Sequence, residues 1–224
     1  MEKSRFAGAA LAAAGGGILI AEAVTASAWT DPHYSYMRNY ISDLEVRGPI
    51  VFQDNLVHSP LWILMSAAYV LNGALVAAAV TVAIGPRAKG RPARLMWIGG
   101  SLYGFGIALA GVFHEVPAGS FPLHAFGAVL IGIPGNITLI QLGLALRRVG
   151  YAKPVVASVP SILGSIGLIS FCILPLVAQT GITGLVERFA AYPLFLSQLG
   201  IGVVLFASTR HSADAKPLTT TARQ

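Results

Sequence analysis

Cysteine is all but missing: Cys172 stands alone inside an apolar run, which excludes an intrachain disulfide and a thiolate metal cage. Charge is scarce as well, at 11% of residues. There is no Gly-Lys phosphate-binding loop and no acidic cluster of the kind that holds a metal diphosphate. No two histidines stand four apart, the spacing that would put both on one helical face. These absences leave little support for nucleotide binding, phosphoryl transfer or conventional ion transport. They also mean that whatever fold forms is held by packing rather than by covalent or metal staples.

What the chain does have is hydrocarbon. Of 224 residues, 55% are hydrophobic, and the mean hydropathy of +0.70 is too high for an ordinary soluble domain. A spanning helix needs roughly 20 mainly apolar residues, and such runs occur at about 6–28, 61–84, 95–113, 123–146, 155–178 and 189–208. The expectation is an all-α, polytopic membrane protein, with six transmembrane helices in one bundle over residues 1–210 and a polar, Thr-rich, disordered tail over 211–224.

The net charge of +6 is a topological signal. If the spans alternate, twelve of the fifteen Lys and Arg fall on the side of the two termini, and only Arg38, Arg47 and Arg188 fall on the other. The positive-inside bias then puts both termini in the cytoplasm of a multi-pass protein of the cell membrane. The basic residues answer anionic lipid headgroups, and nucleic acid is not an expected partner. Acids and histidines show the reverse bias: Asp31, His33, Asp43, Glu45, Asp54, His58, His114, Glu115, His124 and Glu187 map to the outer side, with Glu22 about two turns inside the first span.

The first run begins with Lys3 and Arg5 and ends in Ala26-Ser27-Ala28, which fits a secretory leader. Its apolar stretch is nevertheless longer than the roughly 7–15 residues of a leader core, so we read it as a span, with cleavage as the alternative. Its Gly8, Gly15, Gly16 and Gly17 predict close helix–helix contact inside the bundle. Glu22 is either a carboxyl reaching the headgroups or a partly buried acid able to hold a proton. Tyr69 and Asn72 share a face of the second span. Pro134-Gly135-Asn136 predicts a kink in the fourth, where Asn136 either bonds the freed carbonyls or lines a cavity. The adjacent Glu187 and Arg188 read as a solvated pair at the headgroup boundary, and the fifth span as scaffold.

The stretch Trp29–His58, WTDPHYSYMRNYISDLEVRGPIVFQDNLVH, is polar and aromatic between two oily runs. Its segment Tyr36–Leu44, YMRNYISDL, together with the hairpin GVFHEVPAGSFPLHAFGAVL, resembles the membrane family known as domain of unknown function 998. The resemblance implies six helices and picks out Ser42, Asp43, His114 and His124 as matching polar positions. It lends no settled activity. Glu45 stands where that family usually has Gly, so a turn requiring positive φ there would take another conformation.

Three functions fit these residues. The first is an enzyme without a cofactor, acting on a prenyl or other lipid substrate by carboxylate acid–base chemistry in an outer pocket, most concretely proton-initiated terpene cyclisation. Glu22 is then the acid, Asp31 or Asp43 its partner, and His114, Glu115 and His124 the further catalytic candidates. Trp29, Tyr34, Tyr36, Trp62 and Phe113 would form cation-stabilising walls with Asn136 beneath. Integral-membrane terpene cyclases are similar in size and in lacking a metal motif, an analogy of architecture. The second is a zinc-dependent lipid hydrolase using His33, His58, His114 and His124 with Asp43 or Glu115. The third is a non-enzymatic binding or assembly protein whose outer loop is a lid. Convergence of Glu22 and Asp43 on one enclosed cavity discriminates for the first.

Overall fold

A computed structural model describes residues 2–52, 55–85, 89–115, 121–150, 153–178 and 180–214. Its helices are α1 (Glu2–Ala28), α2 (Trp62–Ala83), α3 (Arg91–Val112), α4 (Phe121–Leu130), α5 (Asn136–Arg148), α6 (Pro154–Ile173) and α7 (Thr183–Asp214). A π-helical turn, Ile131–Gly135, joins α4 to α5 into one continuous rod, so the described chain makes six candidate membrane spans, as the apolar runs require. The last helix reaches Asp214, into the segment expected to be unstructured. Residues 215–224 of that tail, and Asp54 of the outer loop, lie outside the described residues.

The spans form a ring in chain order. Each packs on its neighbours in sequence, and α1 closes the ring against α7. Small residues permit this, because in lipid the helices gain by close van der Waals approach rather than by expelling water. A Cβ on Gly15 would lie 2.3 Å from the Phe195 carbonyl oxygen, and one on Gly73 2.3 Å from that of Gly104. The first span is therefore a built-in wall of the bundle, in line with its glycine content. At mid-bundle Asn72, Tyr103 and Gln198 close a three-membered hydrogen-bonded ring, each link 2.8 Å long, and Asn72 also donates to the Ala14 carbonyl at 3.0 Å.

Pro134 explains the π turn: without an N–H it cannot continue the α ladder, and an extra residue is accommodated in the wider turn. The displaced carbonyls are recovered by side chains. Thr138 donates to Pro134 O at 2.7 Å and Asn136 to Gly132 O at 2.9 Å, and Asn136 also donates across to Ala190 O of α7 at 3.2 Å. Asn136 is completely buried, so of its two expected roles the structure shows the carbonyl-bonding one.

Six spans bring Glu2 and Asp214 to one end of the bundle. The other end is covered by residues 29–52 and 55–61, which form a cap with a 3-10 turn, Ser42–Glu45, and two short antiparallel strands, β1 (Ile50–Phe52) and β2 (Asn55–Val57), paired Ile50 to Val57. Trp29, Ile41, Leu44, Val46 and Val57 bury their side chains in the same core as Ile18, Met65 and Phe195 of the helices. The cap is thus an integral layer of the fold.

Candidate functional site

Arg188, in the second turn of α7, organises the capped end. The sequence places it beside Glu187, but adjacent helical residues point about 100° apart and do not face each other. The expected solvated pair is therefore not what forms. Arg188 is only 5% exposed. Its Nε and Nη2 reach Glu22 Oε1 at 3.0 and 2.9 Å, tying α7 to α1. Its Nη1 donates to the carbonyls of Tyr36, Asn39 and Gly184 at 2.8, 3.0 and 2.9 Å, and Nη2 donates to the Tyr34 hydroxyl at 2.5 Å. The guanidinium also lies over the Tyr36 ring, 4.7 Å from its centroid.

Glu22 accordingly sits elsewhere chemically than expected. It is neither exposed to headgroups nor turned toward a cavity: it is 1% exposed, and its Oε1 accepts from Arg188 and from the Tyr192 hydroxyl at 3.0 Å. It is the counter-ion that lets a guanidinium be buried at all. Asp43 does not join it. The Asp43 Oδ2 accepts from Asn39 Nδ2 at 3.0 Å and from the Tyr40 N–H at 2.9 Å, closing the turn that begins the cap's 3-10 segment.

The carboxyl that Asp43 meets is Glu115, three residues beyond α3. The two carboxyls lie side by side, and Glu115 Oε2 accepts from the Ser42 hydroxyl at 2.9 Å. Two neighbouring buried carboxyls cannot both ionise without repelling each other, so one of them keeps a proton. Burial pushes both pKa values up, and Glu115 goes well above the carboxylate range because the Asp43 charge adds to its desolvation. Asp43, with two further donors, is the better anion; Glu115 carries the proton. Glu45 is more isolated. It is fully buried with no partner on either oxygen, and burial, reinforced by the nearby Glu187 carboxylate, holds its pKa well above the usual range.

Four carboxyls, Glu22, Asp43, Glu45 and Glu115, are thus under 5% exposed, and Arg188 is the one buried cation among the described residues. Arg188 is already neutralised by Glu22, so Glu45 and the Asp43–Glu115 pair hold their burial by retaining protons, the pair through the one on Glu115.

Beside them lies a cavity of about 70 Å³ at the junction of the cap with α2, α3, the π turn, α6 and α7. Its walls are hydrocarbon from residues such as Ile41, Ile107, Phe171 and Phe195, with the Tyr69 ring and a single carboxyl, Glu187. Glu187 is half-buried and fixed by the Ile41 N–H, which donates to its Oε2. Neither Glu22 nor Asp43 lines this space. Small-molecule sites are usually some 300–1,000 Å³, so the cavity takes a few waters or one small group.

The remaining expected site residues are dispersed. Asp31, His33 and His58 are exposed, and so in large part is Tyr36. Trp29 is buried against Tyr34 with ring centroids 5.3 Å apart. His114 Nε2 lies 3.0 Å from the Ser66 hydroxyl, with the ring edge-on to Trp62, and burial lowers its pKa. His124 is buried with Nδ1 2.9 Å from the Phe113 carbonyl oxygen. The four histidines do not converge, and among the described residues no three His, Cys, Asp or Glu side chains are placed to hold a metal. Reading the sequence missed Arg188 and Tyr192 as partners of Glu22, and Glu45 and Glu187 as site acids. The one available signal was Glu45, an acid in a position where a Gly was expected.

Six long apolar helices under a polar cap define a multi-pass membrane protein. The chain belongs to the family described as Protein of unknown function (DUF998), whose profile matches residues 7–209. No curated protein and no solved structure matches it.

Proposed function

We propose that the protein is a cell-membrane enzyme that moves protons on a lipophilic substrate at its capped, extracytoplasmic end, without a cofactor. The observation that carries this reading is the Glu187 carboxyl in an otherwise hydrocarbon cavity, backed by the proton-holding Glu45 and Asp43–Glu115 groups. Glu187 exchanges a proton with the occupant, and the groups behind it restore its protonation state. The Glu22–Arg188 pair fixes the wall from which Glu187 projects and takes no part in the transfer. A space of about 70 Å³ favours one reacting group, such as an olefin, with its tail outside, over a folded polyene. A double-bond isomerisation, in which one alkene carbon gains a proton, its partner becomes the cation and the carbon beyond that cation loses a proton, therefore fits better than cyclisation of a prenyl chain. Membrane lipids are the expected surroundings and source of substrate.

The test is incubation of membranes containing the protein with lipid and prenyl substrates in D₂O, followed by mass spectrometry of recovered lipids. Wild type places deuterium on carbon of one lipid class, and Glu187→Gln slows this by at least about 10²-fold, the usual contribution of a general acid or base. Incorporation that is absent from wild type, or unaffected in Glu187→Gln, refutes the reading. The Arg188 clamp on three cap and helix carbonyls favours the second reading, a non-catalytic binding protein with a fixed lid, which is what such a result leaves standing.

A further inference from the structure

A second and larger cavity, about 220 Å³, occupies the half of the bundle nearer the termini. It is walled by α1, α2, α3, α5 and α7 and runs from Tyr103 and Gln198 at mid-bundle to the helix ends at Ile84, Met96 and Leu205. Three wall residues, Tyr103, Thr138 and Gln198, carry polar groups, and all three are engaged. Thr138 bonds the Pro134 carbonyl, and the other two belong to the ring with Asn72. That ring closes the inner end. A water here would find few of the two to four partners it needs, and an apolar cavity of about 150 Å³ is already enough to stay dry and bind benzene. The walls suit hydrocarbon better than water.

The mouth adds a charge requirement. Arg5 lies over the Phe206 ring, 5.3 Å from its centroid, next to the wall residue Leu205. Arg94, exposed, precedes the wall residue Met96 by two positions, and Arg147 and Arg148, also exposed, end the helix that supplies Leu139 and Leu142. No acid lines the cavity. We infer that the cavity holds a single hydrocarbon chain of an anionic amphiphile, with its acidic head among these arginines. Either a free fatty acid or one chain of an anionic phospholipid satisfies that chemistry. This site lies on the far side of the Asn72–Tyr103–Gln198 ring from the Glu187 cavity and does not depend on the proton-transfer reading.

The experiment is photolabelling of the purified full chain in nanodiscs with palmitate carrying a chain diazirine, and with phosphatidylglycerol carrying the same chain. Peptide mapping should place the label on cavity residues of α3 and α7, between Met96 and Tyr103 and between Leu194 and Leu205. Ala83→Phe, at an exposed position on the cavity wall, should reduce it roughly tenfold while leaving the unfolding midpoint unchanged. Arg5→Gln should weaken labelling at unchanged position. Competition by excess palmitate alone identifies a fatty acid, and competition by phosphatidylglycerol alone identifies a phospholipid. Label confined to lipid-facing residues such as Ile162 and Ile169, labelling that neither lipid competes, or labelling undiminished in Ala83→Phe overturns the inference.

Discussion

Substituting Arg188 by Met removes the guanidinium while keeping a long apolar side chain, so the loss is electrostatic rather than steric. Glu22 then remains buried without its cation, and removing one member of a buried pair costs about 3–5 kcal/mol. The carbonyls of Tyr36 and Asn39 also lose their donor, which unfastens the cap; hydrogen bonds to charged groups contribute about 1.5–3 kcal/mol each, though not additively. Taking only the ion-pair cost and about 2–4 °C per kcal/mol for a chain of this size, the unfolding midpoint in detergent should fall by roughly 6–20 °C. Protease should cut the cap between Tyr34 and Arg47 in the variant before it cuts wild type. The double variant Glu22→Met/Arg188→Met, which orphans no charge, should recover part of the loss. A fall below about 1 kcal/mol, the level of an exposed pair, or a double variant as unstable as the sum of the singles, would refute the buried-clamp account.

Three further outcomes follow from the packing and the buried acids. Glu45 keeps its proton when folded and gives it up more readily when unfolded, so the unfolded chain is increasingly favoured as pH rises from the ordinary carboxylate range through the raised folded value. Wild type should lose stability over that window, and Glu45→Gln should show a shallower decline, matching wild type at acid pH and exceeding it at neutral pH in thermal unfolding. Gly15→Leu drives a side chain into the Phe195 carbonyl oxygen and should cost at least about 1–3 kcal/mol, read as lost yield of monodisperse protein. Asn72→Leu leaves Tyr103 and Gln198 with broken bonds and should cost about 1–3 kcal/mol in the same unfolding assay.

The six spans were legible because a membrane imposes length and hydrophobicity on a helix, and both are local properties of the chain. The burial of α1 was legible from its glycines for a similar reason: a smooth surface is of use only against another helix. The disturbed turn at Pro134 could be read because a proline breaks the backbone ladder locally, and Asn136's carbonyl-bonding role was one of two it left open. Pairings such as Glu22 with Arg188, separated by 166 positions, were not legible, since hydropathy fixes where helices begin and end but not how each is rotated. Arg188 looked solvated because its sequence neighbour is an acid, yet that neighbour points to a different wall. The acids were rightly gathered at one rim, while their division into a counter-ion, a pair holding one proton, an isolated acid and a cavity acid depended on the cap's fold. The inner cavity, formed between smooth helices, left no mark in the hydropathy of the runs that wall it.

The central claim is that carboxyls beneath the cap hold protons at neutral pH, and infrared spectroscopy reads this directly from the carbonyl stretch of protonated carboxylic acids in the reconstituted protein. The account predicts such a band at neutral pH, shifted slightly in D₂O, with part of its intensity removed by Glu45→Gln and a further part by Glu115→Gln. A spectrum at neutral pH containing only carboxylate bands, unchanged by either substitution, would contradict it.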